Sequence, residues 1–310
     1  MKFIIAFFFL LQVFSASSQT DNFKSQEIAI SEHIDGTLLE LDNNTATTLA
    51  IIIAGSGPTD RNGNQNFMKS NSLKSLAESL TKHNIATFRY DKRVVKQILK
   101  GKVDPNIMFD DFVTDAQNIV DYFNEKNTYK NIVVIGHSQG SLVGMLASSK
   151  ADAFISLAGA GQDISMVITE QVGKTAPFFI EETKRVFGIL KSGKTTTDYS
   201  PALASLFNIE LQPFMMNWMQ YNPAEIISSL EIPVLIVNGT KDLQVSVEEA
   251  KLLNEALPNS EIVIIDNMNH VLFTIDGDDL ENSKSYNEGF RKINPELITT
   301  ITTFIDKLNK

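Results

Sequence analysis

Six short apolar runs, mostly β-branched and barely broken by polar residues, recur along the chain and constrain its fold more than any other feature. They occupy 49–54, 85–90, 131–135, 153–157, 233–237 and 261–265. Hydrophobicity at successive positions suits strands covered on both faces, because a strand with one wet face alternates. Between the runs, at about 70–83, 111–126, 139–149 and 246–256, apolar residues fall at helical spacing, and a closing helix is expected near 295–309. Strand–helix alternation of this kind predicts an α/β fold with a mostly parallel central sheet and helices on both faces. Residues 27–41, with Asp35-Gly36 in the middle, predict an antiparallel hairpin at the sheet edge. From about 163 to 229 the strand signal disappears and Phe- and Met-rich helical spacing replaces it, which predicts a helical cap inserted over one end of the sheet.

Composition excludes several function classes. With 27 basic against 37 acidic residues the formal charge is −10, and no basic stripe offsets it, so a nucleic-acid partner is not expected. The 43% hydrophobic and 21% charged fractions exclude a wholly disordered chain and a multi-span membrane protein. Cysteine is absent, which leaves no disulfide, thiolate nucleophile or cysteine-bound metal; any nucleophile must be oxygen or nitrogen.

The first residues form a separate object. Lys2 precedes an apolar run over 3–14, too short for the ~20 residues a membrane helix requires, and Ala16-Ser17-Ser18-Gln19 follows. The pattern predicts a secretory signal peptide at 1–18, cleaved before Gln19, rather than a retained anchor. The mature part, 19–310, is then exported to the periplasm or the extracellular medium with no stable membrane span.

Directly after the run at 131–135 comes Gly136-His137-Ser138-Gln139-Gly140, and then a helical pattern. This is the Gly-x-Ser-x-Gly elbow in the strand–turn–helix context it needs. A turn that sharp leaves no space for a Cβ two residues before or after the serine, so Gly136 and Gly140 are steric requirements and Ser138 is the candidate nucleophile.

A serine hydroxyl needs a base. His33 falls in the hairpin, His83 at a helix end, and His137 in the elbow, pointing away. His270 follows the last apolar run, where a strand end delivers a loop to the sheet edge, and elimination favours it. The base needs a carboxylate to hold its tautomer. Asn238-Gly239-Thr240-Lys241-Asp242 puts Asp242 in the loop after the preceding run, ahead of the competing Asp163 and Asp266. The order Ser138, Asp242, His270 is the one this architecture uses. For a tetrahedral oxyanion, the Gln139 N–H at a helix N-terminus is one expected donor. The loop 55–64 supplies the other, with Ser56 favoured over Gly57 because Pro58 has no N–H. Asp60 and Arg61 are expected to brace this loop as a local ion pair.

Together with 55–64, Phe88-Arg89-Tyr90-Asp91-Lys92-Arg93, 233–245 and Asn269-His270-Val271-Leu272-Phe273, these motifs resemble the α/β-hydrolase superfamily, and more narrowly its bacterial esterases and serine aminopeptidase-like members. The resemblance implies the α/β-hydrolase fold over most of the chain, a serine mechanism and no cofactor. One departure stands out: Val94-Val95-Lys96 follows Asp91-Lys92-Arg93, where similar proteins continue with glycines and a serine.

Two further motifs carry no chemistry here. Gly188–Thr195 fits the phosphate-loop spelling, but a helical pattern precedes it where a strand is needed. The acidic stretch 276–281 lacks calcium-loop spacing and reads as a solvated lip, and no cluster has metal-ligand spacing. The expected function is hydrolysis of small carboxylic esters through an acyl-enzyme. Met215 and Trp218 of the cap are the candidate acyl-pocket residues. The alternatives are a peptidase acting on short peptides and a hydrolase-shaped binding protein with an idle site.

Overall fold

The structure, a computed structural model, describes residues 22–42 and 44–309; the signal peptide expected at 1–18 lies outside them. Its strands are β1 (Phe23–Ala29), β2 (Asp35–Leu41), β3 (Thr48–Ile53), β4 (Ala86–Tyr90), β5 (Asn131–His137), β6 (Ala153–Leu157), β7 (Val234–Gly239) and β8 (Glu261–Ile265). They form one sheet in the order β1-β2-β4-β3-β5-β6-β7-β8, antiparallel at β1/β2 and β2/β4 and parallel from β4 to β8.

The helices are α1 (Ser72–Lys82), α2 (Arg93–Leu99), α3 (Phe109–Lys126), α4 (Gln139–Ala147), α5 (Ile164–Thr175), α6 (Ile180–Lys191), α7 (Ala204–Phe207), α8 (Gln212–Trp218), α9 (Pro223–Ser228), α10 (Val247–Ala256), α11 (Asp279–Ser285) and α12 (Pro295–Leu308). Their packing follows from the period of the strands. In β3, Leu49, Ile51 and Ile53 face one core with α3, α4, α10 and the cap, while Ala50 and Ile52 face a second core with α1 and α12. Each central strand feeds both cores, which is why its sequence is apolar throughout.

Helices α5 to α9 fill the interval between β6 and β7. They are seated on α3: Trp218 stacks on Phe109 with ring centroids 5.5 Å apart, and the Tyr221 hydroxyl donates to Asp110 at 2.6 Å. The phosphate-loop spelling falls across the end of α6, with Gly188 inside the helix, so no strand delivers it.

One expectation needs correction. The hairpin turn is at 30–34; Asp35 and Gly36 are already in β2, paired with Ala29 and Ile28. Gly36 is there for space, since a Cβ would meet the Phe88 ring at 2.2 Å. Elsewhere, the departure after Arg93 opens the short helix α2, and the acidic stretch 276–281, largely exposed as a solvated lip is, leads into α11. Asp278 caps that helix, accepting from the Leu280 and Glu281 N–H groups at 3.1 Å.

Candidate active site

Parallel strands deliver their following loops to the same edge, so the segments after β3, β5, β7 and β8 meet there. After β5 the backbone turns at Ser138 with φ 55° and ψ −122°, left-handed for a residue with a side chain, and α4 starts at the next residue. The turn is that tight because of its glycines. A Cβ on Gly136 would lie 2.2 Å from the Gly140 carbonyl oxygen, and one on Gly140 would lie 2.4 Å from the Ile53 oxygen.

His270 Nδ1 donates to Asp242 Oδ2 at 2.7 Å, and both side chains are buried. The other Asp242 oxygen accepts from the Gln244 and Val245 N–H groups at 2.8 and 2.9 Å, which holds the carboxylate in one orientation. With Nδ1 committed as donor, Nε2 is the acceptor of the ring. Ser138 and His270 line one cleft together with Gly55, Ser56, His137 and Tyr286. The structure therefore brings Ser138, Asp242 and His270 to one rim. It leaves Asp163 on the cap, capping α5 and paired with Lys191 at 3.0 Å, and Asp266 exposed.

The loop after β3 is held rigidly. The Ser56 carbonyl accepts from Thr59 Oγ1 at 2.7 Å and Gln65 Nε2 at 2.9 Å. Among the described residues, neither the Ser56 nor the Gln139 backbone N–H donates to another protein group. The expected Asp60–Arg61 pair does not form. Asp60 instead accepts from the Asn62 and Asn64 N–H groups, while Arg61 grips Asp91 through Nε and Nη2 and reaches Glu27. Residues 60–63 form a tight turn, closed by the Gly63 N–H on the Asp60 carbonyl at 3.0 Å, and the Asp60 carboxylate is used within that turn, so Asp60 and Arg61 brace the loop through different partners.

Residues that motif reading passes over position the site. His137, expected to point away, instead lines the same cleft beside His270, and its Nε2 donates to the His270 carbonyl at 2.8 Å and so anchors the loop carrying that ring. Burial, reinforced by the neighbouring His270, pushes its pKa down to about 4, so it is neutral in ordinary buffers. Asn269 Nδ2 donates to Asn282 Oδ1 at 2.9 Å and Ser285 Oγ at 2.8 Å, tying the His270 loop to α11. The consecutive Asp91, Lys92 and Arg93 take three directions. Asp91 holds Arg61, Arg93 grips Asp111 and Asp115, and Lys92 turns inward. Their position just past β4 was the available signal.

Two further cavities adjoin Gln139 and Ser56. One of about 240 Å³ is walled by Leu142, Ile164, Val167, Ile168, Leu206 and Trp218. The other, about 310 Å³, is lined by Val94, Ile107, Phe112, Leu211, Phe214 and, again, Trp218. Trp218 thus forms a wall of both, while Met215 lies in the hydrophobic core and lines neither. Among the described residues, no His, Asp and Glu cluster could hold a metal, and no helix is long and apolar enough to cross a membrane.

Residues 67–166 match the family model described as serine aminopeptidase, S33. Esterase EstD of Thermotoga maritima is 24% identical over 238 residues, 73% of this chain and 55% of the relative, so the chain spans about half of that relative's length. Est1E from Butyrivibrio proteoclasticus superposes with a TM-score of 0.54 at 19% identity, over 84% of this chain and 96% of that one. The Pyrococcus furiosus esterase Pf2001 does so with a TM-score of 0.57 at 14% identity, over 97% and 96%. The strand order, the loops gathered at one sheet edge and these likenesses lead to one conclusion: the chain has the α/β-hydrolase fold.

Proposed function

We propose that the protein is a serine hydrolase of carboxylic esters. The observation that carries this reading is the buried 2.7 Å hydrogen bond between Asp242 and His270 at a cleft that Ser138 also lines from a strained turn. In this mechanism Ser138 Oγ adds to the ester carbonyl carbon and its proton passes to His270 Nε2, while Asp242 stabilises the imidazolium. The carbonyl oxygen, now an oxyanion, is received by the free N–H groups of Ser56 and Gln139, the latter at the positive end of α4. Collapse expels the alcohol with the proton from His270. Water then repeats the sequence on the acyl-enzyme and releases the acid.

The apolar cavity walled by Leu142, Ile168 and Trp218 lies beside the oxyanion donors and suits an acyl chain. Esterases among the relatives support the ester assignment. The serine aminopeptidase description supports a second reading, cleavage of short peptides. Against it, Glu181 is taken by Lys184 and Glu182 by the Ser200 N–H; Glu210, which lines the larger cavity, is the cap carboxylate placed to meet an amine. The reading also includes export, with cleavage before Gln19, which N-terminal sequencing of the secreted protein checks.

The deciding experiment combines a fluorophosphonate probe with p-nitrophenyl acyl esters and aminoacyl anilides. A phosphonylated Ser138 and ester turnover that Ser138→Ala abolishes support the reading. Preferential turnover of anilides would transfer it to the peptidase, and an unlabelled, inactive protein would make it a binding module.

A further inference from the structure

Lys92 is the least economical residue near the site. It is 5% exposed, its ammonium lies 4.2 Å over the Phe112 ring, and its hydrogen-bond partners are two neutral oxygens. Nζ donates to the Gly55 carbonyl at 3.0 Å and to Gln139 Oε1 at 2.7 Å. No carboxylate pairs with it among the described residues. A buried cation held by neutral acceptors alone is costly, and a purely structural tie between two loops has no need of the charge.

The two partners explain the arrangement. Gly55 O belongs to the same trans peptide unit as the Ser56 N–H, and Gln139 carries the other candidate oxyanion donor. In a trans peptide the C=O and N–H point in opposite directions. A donor pulling on Gly55 O therefore fixes the Ser56 N–H on the far side, toward the cleft. It also polarises that peptide unit, which strengthens the N–H as a donor. The bond to Gln139 Oε1 sets the distance between the two segments.

From this geometry we propose that Lys92 is the positioning residue of the oxyanion hole, clamping both donor segments with one ammonium and lending its charge to the oxyanion through the Gly55–Ser56 peptide. The inference rests on the serine-hydrolase reading. Because an oxyanion exists only after Ser138 has added to the carbonyl, the clamp acts on the transition state and leaves ground-state binding alone. Lys92 itself touches no substrate atom. Burial also lowers its pKa to about 7, in keeping with an ammonium that has no countercharge.

The test is Lys92→Met, which keeps the length and the packing on Phe112 and removes the charge and both hydrogen bonds. The expected result is a fall in kcat for p-nitrophenyl butyrate of roughly 10²-fold, the scale for losing one oxyanion donor, with KM changed less than about threefold. The inhibition constant of an alkyl trifluoromethyl ketone, which Ser138 converts to an oxyanionic hemiketal, rises by the same factor. That of the matching methyl ketone stays put. Gln139→Met, which removes one anchor and retains the backbone donor, gives a smaller loss with the same signature, and it decides the matter if Lys92→Met does not fold. Unchanged kcat, or a loss confined to KM, overturns the clamp in an enzyme that still turns over esters. A wild-type protein with neither ester turnover nor a phosphonylated Ser138 overturns the underlying reading and the clamp with it.

Discussion

His137 Nε2 lies 2.8 Å from the carbonyl oxygen of His270, so the residue preceding the candidate nucleophile holds the backbone of the candidate base. The two rings sit 4.9 Å apart. His137, pinned as a neutral donor with its pKa near 4, serves as a fixed strut.

That strut makes stability depend on pH. Between about 4 and the ordinary histidine value near 6.5, the unfolded chain binds a proton at residue 137 that the folded chain refuses. Stability from this source is complete above 6.5 and is lost as pH falls toward 4, by about 3 kcal/mol in all. Urea unfolding across pH 4 to 7 should show that slope, and His137→Gln, which keeps a donor but cannot titrate, should flatten it. Identical slopes in the two proteins would place the dependence on other groups.

Asp242→Asn keeps the shape of the loop and one acceptor for the Gln244 and Val245 N–H groups, but it removes the charge that fixes the His270 tautomer. The expected fall in kcat on esters is about 10⁴-fold, with the unfolding temperature little changed. A variant within tenfold of wild type would remove Asp242 from the mechanism.

Trp218 and Met215, adjacent on α8, should separate cleanly. Trp218→Leu thins the wall shared by two cavities, so the preferred p-nitrophenyl ester should shift to longer or bulkier acyl groups. Met215→Ala empties core volume instead, lowering stability by roughly 2–5 kcal/mol with the chain-length order preserved. The same shift in both variants would remove Trp218 from the role of pocket wall.

Glycine substitutions give a contrast between site and scaffold. Gly136→Ala drives a Cβ into the Gly140 backbone, which cannot yield without opening the elbow, so both folding and ester turnover should fail. Gly36→Ala meets the Phe88 ring and the Arg89 carbonyl oxygen inside the β2/β4 pairing, and should cost about 1–3 kcal/mol of stability while leaving kcat as it was. Both are read by thermal unfolding and ester assay.

Much of this architecture was legible in the chain itself. Period-2 burial from both sides makes β3 and β5 to β7 continuous apolar runs, and the elbow's glycines announce a steric constraint that needs no tertiary knowledge. What escaped was partnership across sequence distance. Arg61 sits beside Asp60 in the chain yet pairs with Asp91 and Glu27, and Asn282 and Ser285 of α11, which no motif marks, hold the His270 loop through Asn269.

By itself, then, the sequence determined the alternation of elements and the sharp turn at Ser138, because those depend on local sterics and on hydrophobic period. Only the tertiary structure decided that Lys92 turns inward to bridge Gly55 and Gln139, that His137 supports His270, and that Trp218 rather than Met215 faces the cavities. The physical reason is that a polar side chain's role is set by which unsatisfied partner lies within hydrogen-bond reach after folding, and no local pattern encodes that distance.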